Sequence, residues 1–181
     1  MDRFGRPSSA LSLMTGSYQL PAGIYFSGSQ FSILVWINVR SFNSWSRVIE
    51  VSNGPDVNNI ALSITESTSG YPVCMMHIDA NTIIFGVKST IQLELNKWKH
   101  LACVFNSPNG FIYIDGVSYT ALRDPFSSNP AASTRSSNFV GRSSWYPGDL
   151  DTNADIDELK IFNRALSQQE LFYEMNNNMF L

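Results

Sequence analysis

Charge is scarce in this chain, and basic charge is scarcest. Only 15% of the 181 residues are charged, 12 basic against 15 acidic, for a net charge of −3. No basic stretch gathers the lysines and arginines, which excludes nucleic acid as an expected partner. The two histidines, His77 and His100, have no metal-ligand spacing with each other or with a cysteine pair, and both are expected to be satisfied structural residues. No apolar run approaches the roughly 18 residues that a membrane helix needs, so membrane insertion is not expected. The opening MDRFGRPSS lacks the apolar core of a signal peptide, and the signal of a secreted parent is expected outside this chain. Nucleophile-elbow, P-loop and dinucleotide-binding motifs are missing as well. Cysteine is limited to Cys74 and Cys103, in the apolar runs PVCMMHI and HLACVF. Two buried free thiols are expected there in preference to a disulfide, which leaves the compartment open.

What the chain does have is apolar alternation. Hydrophobic residues make up 44% and aromatics 13%, enough for one domain with a sizeable core. The segments 31–39, 47–51, 59–65, 82–87, 99–106 and 110–116 read as strands, rich in β-branched and aromatic residues and bounded by Gly, Asn, Ser or Pro. The turn chemistry of NSPNG (106–110) and DG (115–116) separates some of them. Short strands at this spacing predict an all-β antiparallel sandwich of jelly-roll type. One short C-terminal helix is predicted from Ser167, where Ser167 and Glu170 form a capping box and Leu166 and Leu171 are placed as a hydrophobic staple. That helix is expected to cover an open end of the sandwich. The polar segment 124–138, with two prolines, is expected to be a functional or mobile loop.

The acid-rich stretch DLDTNADIDEL (149–159) raises three readings. Catalytic acids of β-glucan hydrolases alternate along one strand so that all face one cleft. On regular alternation Asp155 and Asp157 share a face with Leu159 and Ile161, while Glu158 points the other way, and no catalytic triplet results. Asp151, Asn153 and Asp155 stand at positions one, three and five of a calcium-loop pattern. Ile156 and Phe162 occupy the places of its turn glycine and bidentate glutamate, which excludes an EF-hand and leaves a looser calcium site beside a solvated acidic loop. The third reading is the closing strand of the sandwich.

Here the sequence resembles a known family. NFVGRSSWYPGDLDTNADIDELKIFNRALSQQEL resembles the C-terminal signature of laminin-G-like jelly-roll modules of the concanavalin A-like lectin/glucanase superfamily. DRFGRPSSALSL, FSILVWINV, SWSRVIEVSNG and LNKWKHLACVFN with GFIYIDG match the successive strands of such modules, so the resemblance covers nearly the whole chain. Those modules usually begin with a further strand and an acidic glycine-rich segment ahead of DRFG. Residues 1–181 are therefore expected to form one domain that lacks the usual first strand and is cut from a longer protein. The resemblance implies a non-catalytic extracellular module for glycans or for cell-surface and matrix partners, as in adhesion. A purely structural or protein-interaction domain is the alternative, and a glycoside hydrolase the third possibility. It also implies Asp157 as a calcium ligand, with Asp155 and Asp151 as the other acids at hand.

Within the loop 141–153, Trp145 and Tyr146 stand outside any alternating run, surrounded by Arg142, Asp149, Asp151 and Asn153. Sugars are held by an aromatic face and planar hydrogen-bonding groups, so these six residues are the expected ligand-binding set. A structural role for Trp145 at the sandwich edge stands equally open. Trp36, Trp45 and Trp98 are expected in the core, and Arg47 is expected to pair with Glu50 or a neighbouring acid. A missing first strand would leave an open sheet edge, so self-association is expected there unless the tail 173–181 folds back over it.

Overall fold

The computed structural model describes residues 1–14, 16–55, 57–79 and 82–176. It is a two-layer antiparallel sandwich, as the alternation predicts. One sheet has six strands, in the order β1 (Leu11–Leu13), β13 (Asn153–Phe162), β3 (Gln30–Ser41), β8 (Trp98–Asn106), β9 (Asn109–Ile114) and β10 (Val117–Ser118). The other has seven: β11 (Thr120–Asp124), β7 (Thr82–Ser89), β6 (Val73–Asp79), β5 (Ile60–Ser63), β4 (Arg47–Ser52), β12 (Ser137–Val140) and β2 (Tyr18–Gln19). The core lies between them. Phe31, Ile33, Val35, Ile37 and Val39 of β3 face Ile49, Val51, Leu62, Met76 and Phe85 from the opposite sheet, all of them buried. No helix among the described residues is long and apolar enough to cross a membrane.

The cysteines correct one expectation. Cys74 of β6 and Cys103 of β8 point inward from opposite sheets, with Cα atoms 6.3 Å apart, and are joined in a disulfide. Strand alternation places each thiol on the inner face but says nothing of which strands of the two layers lie opposite each other.

The helix α1 (Gln168–Asn176) begins where the capping box puts it. The Ser167 amide donates to Glu170 Oε2 at 2.8 Å, and the Glu170 amide donates back to Ser167 Oγ at 3.3 Å. Leu166 and Leu171 are buried with Leu34, Ala102 and Val104. The helix thus covers the outer face of the six-stranded sheet and not an open end, because β3 and β8 carry apolar side chains on both faces. The last residues of the tail expected to shield a sheet edge, 177–181, lie outside the described residues. The edge itself is not vacant beside β13: β1 pairs with it from Ala154 to Ile156.

The segment 124–138 is anchored. The side chain of Arg135 is buried and donates to the carbonyls of Asn58, Phe26 and Ala131 at 2.9–3.3 Å, while its backbone bridges to Gly23.

In β13 a bulge overturns the regular alternation assumed for the acids. Asp157 pairs with Trp36 and Lys160 with Leu34, so one extra residue is accommodated, and Glu158 adopts φ 49°. An extra residue resets the phase of a strand. Leu159 therefore packs against the core, while Glu158 joins Asp157 in contact with Arg3.

Candidate ligand-binding cavity

The site is built on the outer face of the seven-stranded sheet. A register shift between Arg47 and Ile49 lets Val48 and Ile49 both enter the core, which leaves Arg47 and Glu50 together on the outside of β4. Neither is exposed, because the loop 141–152 folds over them. Gly141, at φ 86°, makes the turn out of β12 that a side-chain-bearing residue adopts only under strain. The loop then docks on Glu50, which accepts from Ser143 Oγ at 3.3 Å, Ser144 Oγ at 2.7 Å and the Ser144 amide at 3.1 Å. Arg47 Nε and Asn59 Nδ2 donate to the same carboxylate at 2.8 and 3.0 Å. At the far end of the loop Arg47 holds Asp149 at 3.0 Å, and Thr152 Oγ1 donates to the Arg47 carbonyl at 2.5 Å.

Between this loop and the sheet is a cavity of about 300 Å³, lined by Trp45, Arg47, Met75, His77, Ile83, Arg123, Trp145, Tyr146 and Asp149. Trp145 meets His77 edge-on, with ring centroids 3.8 Å apart. Tyr146 is 64% exposed and forms the rim. Its ring fills the space that a side chain at residue 148 would need, so Gly148 sets where the ring stands. Arg47 and Arg123 each lie within 6 Å of the Trp45 ring. Arg123 is itself held by Glu66 at 2.9 Å and by Asp124.

His77 does not match its expected role. It is 4% exposed, and neither ring nitrogen has a hydrogen-bond partner among the described residues. Burial, followed by the charges of Arg123 and Arg47, lowers its pKa to about 4, so it is a neutral imidazole at physiological pH. Asp149 is shifted up by burial, against the pull of Arg47.

Of the six residues expected to bind ligand, the cavity brings together Trp145, Tyr146 and Asp149. Arg142 and Asp151 form an ion pair of their own, at 2.9 and 3.0 Å, on the exposed side of the loop. Asn153 Nδ2 donates to Ser41 Oγ at 2.9 Å. Sequence reasoning missed His77, Met75, Ile83 and Arg123, and it assigned Trp45 to the core, where the fold leaves it half-buried at the cavity wall. Trp36 and Trp98 are also only half-buried, on strands of the other sheet.

The three acids considered for calcium are not brought together among the described residues. Each has a separate arginine: Asp151 with Arg142, Asp155 with Arg40, and Asp157 with Arg3 at 3.6 Å. Calcium takes six to eight converging oxygens, and among the described residues no three His, Cys, Asp or Glu side chains are grouped to hold a metal. Arg3 is seated 2.6 Å from Glu158 and over the Trp36 ring, at the end of a hook in which Asp2 accepts from the Phe4 and Arg6 amides. The proposal that follows is that a guanidinium supplies the positive charge there. Arg3→Ala should cost about 1–3 kcal/mol, because Asp157 loses its ion pair and Glu158 keeps only the more distant Lys160, at 3.7 Å. Thermal melts of the unaltered protein should coincide in calcium and in chelator, and a shift of several degrees would refute the proposal.

Comparison with known proteins agrees with this architecture. A family model, Laminin_G_3, described as the concanavalin A-like lectin/glucanases superfamily, matches residues 14–172. The chain belongs to that superfamily. No curated protein sequence matches it. Among solved structures it is similar to domain 4 of AbnA, a GH43 extracellular arabinanase from Geobacillus stearothermophilus, in complex with arabinotriose. The TM-score there is 0.73 at 20% identity, covering 94% of this chain and 78% of that one. It is also similar to the CBM40 of a Ruminococcus gnavus IT-sialidase bound to α2,3-sialyllactose, with a TM-score of 0.63 at 14% identity, covering 88% and 96%. A third likeness is to a heptameric SAP-like pentraxin from Limulus polyphemus, with a TM-score of 0.63 at 12% identity, covering 93% and 82%. At these identities the likeness concerns the fold.

Proposed function

We propose that this domain is a non-catalytic recognition module that binds a glycan in the cavity between the loop 141–152 and the seven-stranded sheet. The observation that carries the reading is a buried imidazole with both nitrogens unpartnered, at the floor of a cavity walled by Trp45, Trp145 and Tyr146. Aromatic faces with a few inward polar groups suit a ring that is apolar on its faces and hydroxylated at its edge. Hydrolysis of a glycosidic bond uses two carboxyl groups flanking that bond. Among the described residues the cavity has one lining carboxylate, Asp149, already engaged by Arg47. The neighbours solved with arabinotriose and sialyllactose support a glycan as the ligand. A secreted or cell-surface location, suited to adhesion, is supported by the Cys74–Cys103 disulfide, since such bonds persist in oxidising compartments.

Trp145→Ala is the test. Screened on a glycan array and then titrated by calorimetry, the unaltered domain should bind, and the variant should lose at least tenfold in affinity while keeping its far-ultraviolet circular dichroism. Binding that survives the substitution places the ligand elsewhere, and an array with no binder removes the reading.

A further inference from the structure

The charges around the cavity and the hydrogen-bonding needs of His77 together narrow the ligand, on the reading that the cavity binds a glycan. Each arginine at the cavity is already neutralised. Arg47 lies between Glu50 and Asp149, and Arg123 between Glu66 and Asp124. Glu66 also holds Lys88 at 2.5 Å. Among the described residues three cations in these ion pairs thus stand against four carboxylates, and the one carboxylate that lines the cavity, Asp149, faces any incoming group. Among the described residues an anion entering here meets no uncommitted positive charge and one negative charge, which costs affinity.

His77 sets the second condition. A neutral imidazole has one N–H donor and one lone-pair acceptor. Both are buried and unpartnered among the described residues, and leaving such groups unsatisfied is costly. A bound carboxylate only accepts and would leave the lone pair unmet. A bound ammonium only donates and would leave the N–H unmet. Hydroxyl groups do both. The volume, about 300 Å³, lies at the lower limit for ligand cavities and suits one or two sugar rings.

We infer that the cavity selects an uncharged sugar unit at a chain end or branch, with its hydroxyls both donating to and accepting from His77, and discriminates against sialic and uronic acids. His77 is then a specificity-determining residue.

The experiment compares matched oligosaccharides that end either in a neutral sugar or in a sialic or uronic acid, against the unaltered domain and the variants His77→Phe and His77→Gln. The neutral members should bind at least tenfold more tightly than their acidic partners. His77→Phe, which keeps a ring against Trp145, should lose at least tenfold for neutral ligands with no loss of melting temperature. His77→Gln, which restores a donor and an acceptor, should recover part of that loss. Preference for the acidic members overturns the inference and leaves the glycan reading standing. Unchanged affinity in His77→Phe overturns it too, since the imidazole then makes no contact. If no member binds at all, both fail together.

Discussion

Replacing Glu50 by alanine should destabilise the domain by about 3–5 kcal/mol and abolish ligand binding in the same step. The magnitude is that of breaking a buried ion pair by removing one partner. Glu50 is fully buried and accepts from Arg47, Asn59, Ser143 and Ser144. Without its carboxylate Arg47 keeps Asp149 but loses the nearer charge, and the loop loses the acceptor for both of its serines. The roof of the cavity, Trp145 and Tyr146, sits on the residues next along that loop. Glu50→Gln retains the shape and some of the acceptors, so it should cost less and leave partial binding. The denaturant midpoint measures the first effect, and calorimetric titration the second. An alanine variant with an unchanged midpoint would show that the loop is held by something other than this carboxylate.

Acidification should have the other large effect. His77 and His100 both have pKa values near 4 in the folded protein, against 6.5 for the free side chain. Burial is the main cause in each. Arg123 and Arg47 add to it at His77 against the pull of Asp79, and Lys160 and Arg3 at His100 against Asp115 and Glu158. The unfolded chain takes up these protons below about pH 6.5, whereas the folded chain refuses them until about pH 4. The stability they contribute is thus complete above pH 6.5 and lost as the pH falls through that window. The loss amounts to roughly 3 kcal/mol for each imidazole. Asp149 and Asp157, whose pKa values burial raises, act in the opposite sense and return a little stability at the acid end. Urea midpoints at pH 7, 5.5 and 4.5 should fall steadily, and His77→Phe should remove about half of the decline. A flat profile would mean that both rings find water or a partner when folded.

Much of the sandwich was legible because alternation is a local signal. The strands β3, β4, β7, β8 and β9 appear close to where their apolar periodicity puts them, and the capping box at Ser167 fixes the start of the helix. What escaped was set by topology. The edge strands β1, β2 and β10 are two or three residues long and have no period to read. The disulfide depends on which strands of two layers lie opposite each other, and the β13 bulge on one residue out of phase. In the site, Trp145, Tyr146 and Asp149 could be found because they sit together in one loop. His77, Met75, Ile83 and Arg123 come from three strands and meet only when the sheet is assembled. A signal was present all the same. The run PVCMMHI of β6 has no polar face, although one side of a strand in a two-layer sandwich normally meets water. A strand apolar on both sides must be covered on its outer side, and here the cover is the loop bearing Trp145.

The Cys74–Cys103 bond also determines how the domain carries tension. A pull transmitted along the backbone from one end to the other crosses from Cys74 to Cys103 through sulfur and bypasses the chain between them. That segment spans a sequence separation of 29, which at about 3.4 Å per residue hides close to 100 Å of contour length from extension. It contains β7 and nearly all of β6, and therefore Met75, His77 and Ile83, the floor of the cavity. The roof and the Arg47 and Arg123 walls lie outside the closed loop and stay in the line of force. Under load the roof and walls can be drawn out, whereas β6 and β7 lose their neighbours β5 and β11 but stay tethered side by side, so that a module pulled open closes again from a remnant of its floor held at short range.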